Sequence, residues 1–472
     1  MAHAQPQGTP QDGLPDPGRF RSCTLPVPAS WHIDPIDLAS KSDPALQART
    51  MGVLLHSTSE TLAGRGAATT LPLRDATGRG ATPTEIQQWL DAVPLSDEVS
   101  RPGSGPVVFG ALPFDPAEPC RLVVPALVLR SDPSGTRWVT VVGPAGARLP
   151  HSTEQIGDLL DSIGARSGIS PAKLCSSSGL SAEEDRELAG SLAAEDPEPG
   201  SGRFVANVNA VLHAIDAAKV AKVVLARSVR LRLARGVDPG SVLRNLARLD
   251  PRCTVFAAIG ESEAFLGATP ELLVRRRGST VKTHPLAGTT GLTGEPAADR
   301  RAIDELLKSP KELAEHLAVV EQVAVTLGPL CERISFDGPT ISELRLVAHL
   351  GTQVTGCLRP PRVTGLLPSL LELTAALHPT PAVAGSPTRD AMDLIARLEG
   401  SSRGRYAGPV GWMDRNGDGQ MMVGIRSMLL HDGVADLYAG AGIVAGSEPG
   451  AELAETTLKI RGAIDAIAAA YR

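Results

Sequence analysis

The sequence predicts an α+β fold, and two observations carry that reading. Short apolar runs arrive in consecutive groups separated by turn residues, the pattern of antiparallel strands. Long amphipathic segments interrupt these groups instead of alternating one for one with single strands, which argues against a βαβ repeat. With 472 residues and 42% hydrophobic content, the chain can build a substantial core as one large unit or two or three smaller ones.

Residues 1 to about 20, rich in Pro, Gly and Gln, predict a disordered tail. GPVVFGALPF (105–114) and RLVVPALVLRS (121–131) read as buried strands broken by proline. SAEEDRELAGSL (181–192) opens with a Ser cap and an acidic first turn and reads as a helix, and AAEDPEPGSG (193–202) as a hinge or linker. FVANVNAVLHAIDA (204–217) is an amphipathic helix, and KVVLARSVRLRL (222–233) a strand. CTVFAAIG, AFLGATPELLVRRR and STVKTHPLAGT follow as three more strands. SPKELAEHLAVVEQVAVTL (309–327) is a long helix capped by Ser309, with Pro310 in its first turn. VGWMDRNGDGQMMVGIRSMLL (410–430) reads as a hairpin, and the end of the chain as a helix.

Charge and cysteines narrow the function. Lys and Arg number 46 and Asp and Glu 52, so the formal charge is −6 and no basic face offers itself to nucleic acid. The six cysteines, Cys23, Cys120, Cys175, Cys253, Cys331 and Cys357, form no CxxC pair. The N-terminus lacks the apolar core of a signal peptide, and no run of about 18 apolar residues could span a membrane. A cytoplasmic, soluble protein with reduced thiols is the expectation.

Two motifs are decoys. Asp414-Arg-Asn416-Gly-Asp418-Gly419 starts like a calcium loop, but its twelfth position is Ile425, where a bidentate Glu is required, so a hairpin turn fits better. Gly440-Ala441-Gly442-Ile-Val-Ala445 matches a loose dinucleotide fingerprint, yet too little chain follows for the second strand and its acidic ribose partner. Its amides could still meet an anion.

Glu312 and Glu315 share one helix face at i, i+3, and Glu452 and Glu455 repeat the spacing, with Lys459 one turn on. Alone, such pairs read as solvated faces. Were the two helices to face each other, four carboxylates would converge and demand a cation, and an all-oxygen site suits Mg²⁺. Lys222 leads an apolar run and would either snorkel or enter a buried site as a base. Glu271 lies between a turn and a strand, as a surface carboxylate or as the acid opposite that lysine.

At this point the sequence resembles the chorismate-utilising enzymes, and among them the isochorismate synthases. KVVLAR (222–227), FLGATPELL (265–273), HPLAGT (284–289), LLKSPKELAEH (306–316), VAHLGTQVTG (347–356), LHPTPAVAGSP (377–387), GRYAGPVGW (404–412), GIRSML (424–429) and AGAGIVAGSEPGAELAETTLK (439–459) occur in family order. GALPFDP (110–116) extends the likeness upstream.

The resemblance implies a large α/β sandwich, two antiparallel sheets packed between outer helices. Residues 21–200 would form its N-terminal part and 201–472 the chorismate-binding catalytic region. It implies Lys222 as the base that activates water and Glu271 as the acid that protonates the leaving hydroxyl. Glu315 and Glu455 would be the main Mg²⁺ ligands, with Glu312 and Glu452 beside them or acting through water. Tyr406, Arg426, Lys459 and the amides of Gly440, Ala441 and Gly442 would hold the substrate carboxylates, and Thr289 and His349 would line the ring pocket.

Relatives differ in nucleophile. Anthranilate synthases carry Gln where Lys222 stands, and aminodeoxychorismate synthases a P-I-K-G-T run where this chain has HPLAGT with Ala287, so water is the expected nucleophile. Salicylate synthases, which go on to eliminate pyruvate, are the runner-up, and a chorismate-binding protein without turnover is the reading from another class. The resemblance further implies a monomer acting on the small molecule chorismate, upstream of menaquinone, a catechol siderophore or salicylate.

Overall fold

The computed structural model describes residues 13–41, 51–75, 77–166, 194–195, 200–233, 236–360 and 365–471; the helix expected over 181–192 lies outside them. The strands form two sheets, antiparallel except for the parallel edge pairing of Leu95–Asp97 with Phe20–Pro26, joined at a single residue pair, Phe109 opposite Val123. The first runs Leu95–Asp97, Phe20–Pro26, Arg137–Pro144, Cys120–Ser131, Thr61–Leu73, Gly52–His56, Thr254–Ile259, Glu263–Thr269, Ser427–His431, Val434–Val444 and Lys222–Arg232. Ala194–Glu195, from the expected linker, and Gly385–Ser386 add short pairings to Lys222–Arg232. The second runs Val107–Ala111, Pro409–Asp414, Gly419–Val423, Leu272–Arg277, Thr280–His284, Val347–Leu358 and Cys331–Glu343, with Leu286–Gly291 also on Val347–Leu358.

Period-two alternation turns these sheets into a sandwich. Val53, Leu55, Phe256 and Phe265 of the first sheet join Val107, Phe109, Trp412 and Met422 of the second in one buried cluster between them. Their neighbours Leu54, Val255, Ala257 and Leu266 point the other way, into a cluster with helical residues such as Leu38, Leu243, Ile460 and Ile467. Leu273, Val281 and Met421 do the same on the outer face of the second sheet, under Trp89, Val323 and Leu371. Strands apolar on both faces are therefore buried on both. No helix of the described residues is long and apolar enough to cross a membrane.

Several boundaries differ from those read in the sequence. Residues 13–20, placed in the tail, are packed: Asp16 caps a short 3-10 turn, Trp89 Nε1 donates to Pro15 O at 2.5 Å, and Phe20 meets the Trp89 ring edge-on. Cys120–Ser131 is not broken at Pro125, because the partner strand shifts register between Ala67 and Thr69 opposite it. AFLGATPELLVRRR is two strands, Glu263–Thr269 and Leu272–Arg277, one in each sheet. STVKTHPLAGT likewise divides at Pro285, into Thr280–His284 and Leu286–Gly291. The hairpin of 410–430 ends at Val423, and Ser427–His431 belongs to the other sheet.

The chain thus crosses between sheets at Pro270-Glu271 and again at Gly424–Arg426, and the two crossings lie side by side. Val423 N donates to Glu271 O at 3.0 Å and Ala268 N to Arg426 O at 3.3 Å. Arg426 takes the left-handed backbone conformation, φ 52°, to make its turn.

Leu225, fully buried in Lys222–Arg232, tests the core. Leu225→Ala should cost about 2–5 kcal/mol in urea unfolding, whereas Val325→Ala, at a position 69% exposed, should stay within about 0.5 kcal/mol.

Candidate active site

The two acidic pairs arrive on helices that begin as the sequence expects. Ser309 Oγ accepts from Glu312 N at 3.3 Å, with Pro310 opening the helix Pro310–Leu327. Pro449 likewise stands first in Pro449–Ala470, where no side chain caps the helix. Glu312 and Glu452 occupy the two first turns, where the positive helix ends favour carboxylates. Both helices reach a cleft of about 870 Å³, including its open mouth, whose walls contain all four glutamates. Glu271, Thr289, His349, Tyr406, Arg426, Gly440, Gly442 and Lys459 line it too.

Lysines hold the carboxylates. Lys222 Nζ lies 2.8 Å from Glu315 Oε1, Lys459 Nζ 2.5 Å from Glu455 Oε1, and Lys311 Nζ 3.9 Å from Glu312 and 3.8 Å from Glu452. Burial pushes the Glu315 carboxyl up, but Lys222, Lys459 and Lys311 more than offset it and hold it below its usual value. Glu312 is raised by burial and then by Glu315, although Thr289 N donates to its Oε2 at 3.0 Å. Glu452 is raised by burial, with Glu455 adding to it and a Ser447 hydrogen bond opposing.

Four hard oxygen donors around one cleft fit a divalent cation in their chemistry. Among the described residues, however, no three acidic, His or Cys side chains are yet drawn together closely enough to form a finished ligand set.

Lys222 does not line the cleft itself; it sits beneath, 3% exposed, with Glu315 between it and the opening. Its ion-pair partner is a carboxylate, Glu315. Glu271, 4% exposed at the first inter-sheet crossing, is pushed up to about 8, by burial first and against the pull of Lys222 and Lys459. It is protonated at neutral pH. Desolvation at a buried crossing keeps a carboxylic acid neutral and able to donate.

His349 is neutral, held well below its usual value by burial, then Arg426 and Lys459. Arg426 Nη2 lies 2.9 Å from Nε2 and can only donate, so Nε2 accepts. The proton therefore sits on Nδ1, which faces Gly288 O at 3.3 Å and Thr289 Oγ1 at 3.0 Å. Tyr406 stacks on Tyr438 at 5.2 Å, and burial pushes its hydroxyl up to about 12, so it stays a neutral donor.

The Gly440–Gly442 segment is a strand, not a nucleotide-binding turn. Gly440 pairs with Ala226, Ala441 with Leu225 and Gly442 with Val224. Val224 N donates to Ala384 O and Ala226 N to Glu399 Oε1, both away from this strand. The hydrogen-bonded pair is therefore Ala441 with Leu225, while the Gly440 and Gly442 amides point to the open edge. The amide of Ala441 is thus not available to a ligand, as the sequence reading had it. Lys459 Nζ donates to Gly440 O at 3.0 Å on that edge. The calcium-like loop is a hairpin turn, its Asp414 carboxylate accepting from the amides of Gly103, Asn416 and Asp418.

Sequence reasoning missed three residues. Lys311 bridges the two acidic helices. Tyr438 backs Tyr406. Arg403, paired with Glu399, donates to Val224 O at 2.7 Å and Val383 O at 2.9 Å, fastening the cleft wall. Only Lys311 fell within a quoted motif; the other two are ordinary residues until the strands pair.

A neutral carboxylic acid, a carboxylate cluster and the cations Arg426 and Lys459 thus line one cleft, with a buried lysine beneath it. The sequence profile described as "Chorismate binding enzyme" matches residues 19–468. The chain belongs to the chorismate-binding enzyme family.

Isochorismate synthase DhbC of Bacillus subtilis is 36% identical over 366 residues, 76% of this chain and 80% of that protein. Isochorismate synthase MenF of the same organism is 33% identical over 379 residues, 77% of this chain and 75% of that protein. The structure of MenF from Escherichia coli, titled a menaquinone-specific isochorismate synthase, superposes with a TM-score of 0.73. It covers 95% of this chain and 94% of that one at 24% identity, a likeness of fold.

A Cβ on Gly442 would stand 2.8 Å from Glu315 Oε1 and 3.0 Å from Lys222 Cε. Gly442→Ala should keep the melting temperature within a few degrees, because side chains can yield, while disturbing the ion pair and lowering turnover at least tenfold. Glu271 sets a pH signature of stability. Its folded value is raised, so its contribution is full below the unfolded value of about 4.3. That contribution is lost as pH rises through the folded value of about 8. Thermal melts should show Glu271→Gln gaining on the wild type across that window and keeping a constant offset from it above about pH 8.

Proposed function

We propose that this chain is an isochorismate synthase, an isomerase that converts chorismate to isochorismate with Mg²⁺ bound by Glu312, Glu315, Glu452 and Glu455. The observation that carries the reading is Glu271, a buried acid kept protonated at neutral pH within a cleft that Lys222 supports from below. Relatives that bear the activity in their names, matched over most of their length, support it.

Water attacks ring C2, forming one C–O bond, the ring double bonds shift, and the C4–O bond breaks. Once its ion pair with Glu315 has opened and its own proton has left to solvent, Lys222 as the free amine takes the proton of the attacking water, and Glu271 gives its proton to the departing hydroxyl, so one water enters and one leaves. Each proton transfer is worth about 10²–10⁴-fold. Arg426, Tyr406, Lys459 and the Gly440 and Gly442 amides hold the two substrate carboxylates, while neutral His349 orients Arg426 and with Thr289 lines the ring pocket. Bound Mg²⁺ supplies positive charge that lets a dianion sit beside four carboxylates. A monomer in the cytoplasm is part of the same reading, and the five free cysteines of the described residues suit that reducing compartment.

Incubation with chorismate and Mg²⁺, followed by chromatography, should yield a reversible mixture with isochorismate and little pyruvate. Excess EDTA should abolish it. Stoichiometric pyruvate would make this a salicylate synthase, and no product at all a binding protein. Lys222→Ala and Glu271→Gln should each lose at least about 10²-fold in turnover while still binding chorismate, and the double variant should be little worse. Exposed Lys219 is the control and should tolerate Ala. Because Glu271 must carry its proton, activity should fall as pH rises past about 8.

A further inference from the structure

We propose that Lys311 is a placeholder cation, holding Glu312 and Glu452 together across the two acidic helices until a divalent cation displaces it. The inference rests on the metal reading above.

Of the three lysines on the carboxylate cluster, Lys311 is placed differently. Lys222 is nearly inaccessible and 2.8 Å from its one carboxylate; Lys459 is 2.5 Å from Glu455 and also donates to Gly440 O. Lys311 has a side chain 40% exposed, and its ammonium stands midway between two carboxylates, 3.9 Å from Glu312 Oε1 and 3.8 Å from Glu452 Oε1. Those distances are at the outer limit of ion pairing, so it neutralises both without binding either tightly. It is also the lysine that ties one acidic helix to the other, since Glu312 belongs to Pro310–Leu327 and Glu452 to Pro449–Ala470.

Charge and space both require an exchange. Four carboxylates against three ammoniums leave one negative charge in the cluster, and replacing the single charge of Lys311 by a double one closes the balance. A Mg²⁺ ion draws its oxygens to about 2.0–2.1 Å, so an ion bound by Glu312 and Glu452 takes the space where the ammonium now sits. An unbranched stem at an exposed position lets Lys311 swing out to water without moving the backbone. Lys222, held by burial, and Lys459, held by its second partner Gly440 O, stay.

The test uses the metal-stripped full chain without chorismate, at fixed ionic strength because salt screens the same charges. Mg²⁺ is titrated by calorimetry, and melting temperature is followed with and without it. Both ion pairs lie at the outer limit of contact, so the expected change in affinity is modest. Lys311→Met should bind Mg²⁺ about two- to tenfold more tightly, melt lower without the ion, and gain more from adding it. Lys311→Arg, with a fork that grips carboxylates better, should bind Mg²⁺ more weakly than the wild type. Lys308→Met removes an equal charge from an exposed neighbouring position and should leave Mg²⁺ affinity within twofold. Unchanged or weaker Mg²⁺ binding by Lys311→Met, or equal tightening by Lys308→Met, overturns the placeholder and leaves the metal reading intact. If neither wild type nor Lys311→Met responds to Mg²⁺ by heat or by melting, the metal reading falls, and the placeholder with it.

Discussion

The site depends on one constraint: two sheets must share a chain that crosses between them at two neighbouring places. At each crossing the backbone leaves one ladder before joining the other, so a side chain there belongs to neither sheet's apolar face. Glu271 stands at one crossing and Arg426 at the other, and backbone hydrogen bonds from Val423 to Glu271 and from Ala268 to Arg426 fasten the two together. A carboxyl trapped between sheets is desolvated, which raises it to about 8. The acid is a product of topology.

Electrostatics then divides the cleft into two regions. On one side, carboxylates from two helix N-termini face lysines that partly neutralise them. On the other, Arg426, oriented by neutral His349, and the hydroxyl of Tyr406 present donors to the cleft. The open edge of Val434–Val444 runs between these regions, and its two cleft-facing glycines leave space for a ligand because a Cβ at either would meet Tyr406 or Glu315. A small dianion can be held there by donors at one end while its charge is balanced at the other. The same alternation that places Gly440 and Gly442 on the open edge commits Ala441 to its neighbour strand.

Much of this was legible in the residues themselves. Local chemistry determined the helix beginning at Ser309-Pro310, the shared faces of Glu312 with Glu315 and of Glu452 with Glu455, and the turn at Asp414–Asp418, because caps, i, i+3 spacing and turn hydrogen bonds act within a few residues. The ordered motifs determined the family for the same reason, since each preserves a short stretch of chemistry. What only the tertiary structure decided lies at long range. AFLGATPELLVRRR reads as one strand because its apolar pattern is the same on both sides of Pro270; only pairing with Ser427–His431 on one side and Gly419–Val423 on the other shows the crossing that buries Glu271. The carboxylate against Lys222, the lysine between the two acidic helices and the tautomer of His349 are contacts between residues tens to more than a hundred positions apart. Sequence periodicity records which face of an element is apolar, but not which element that face will meet.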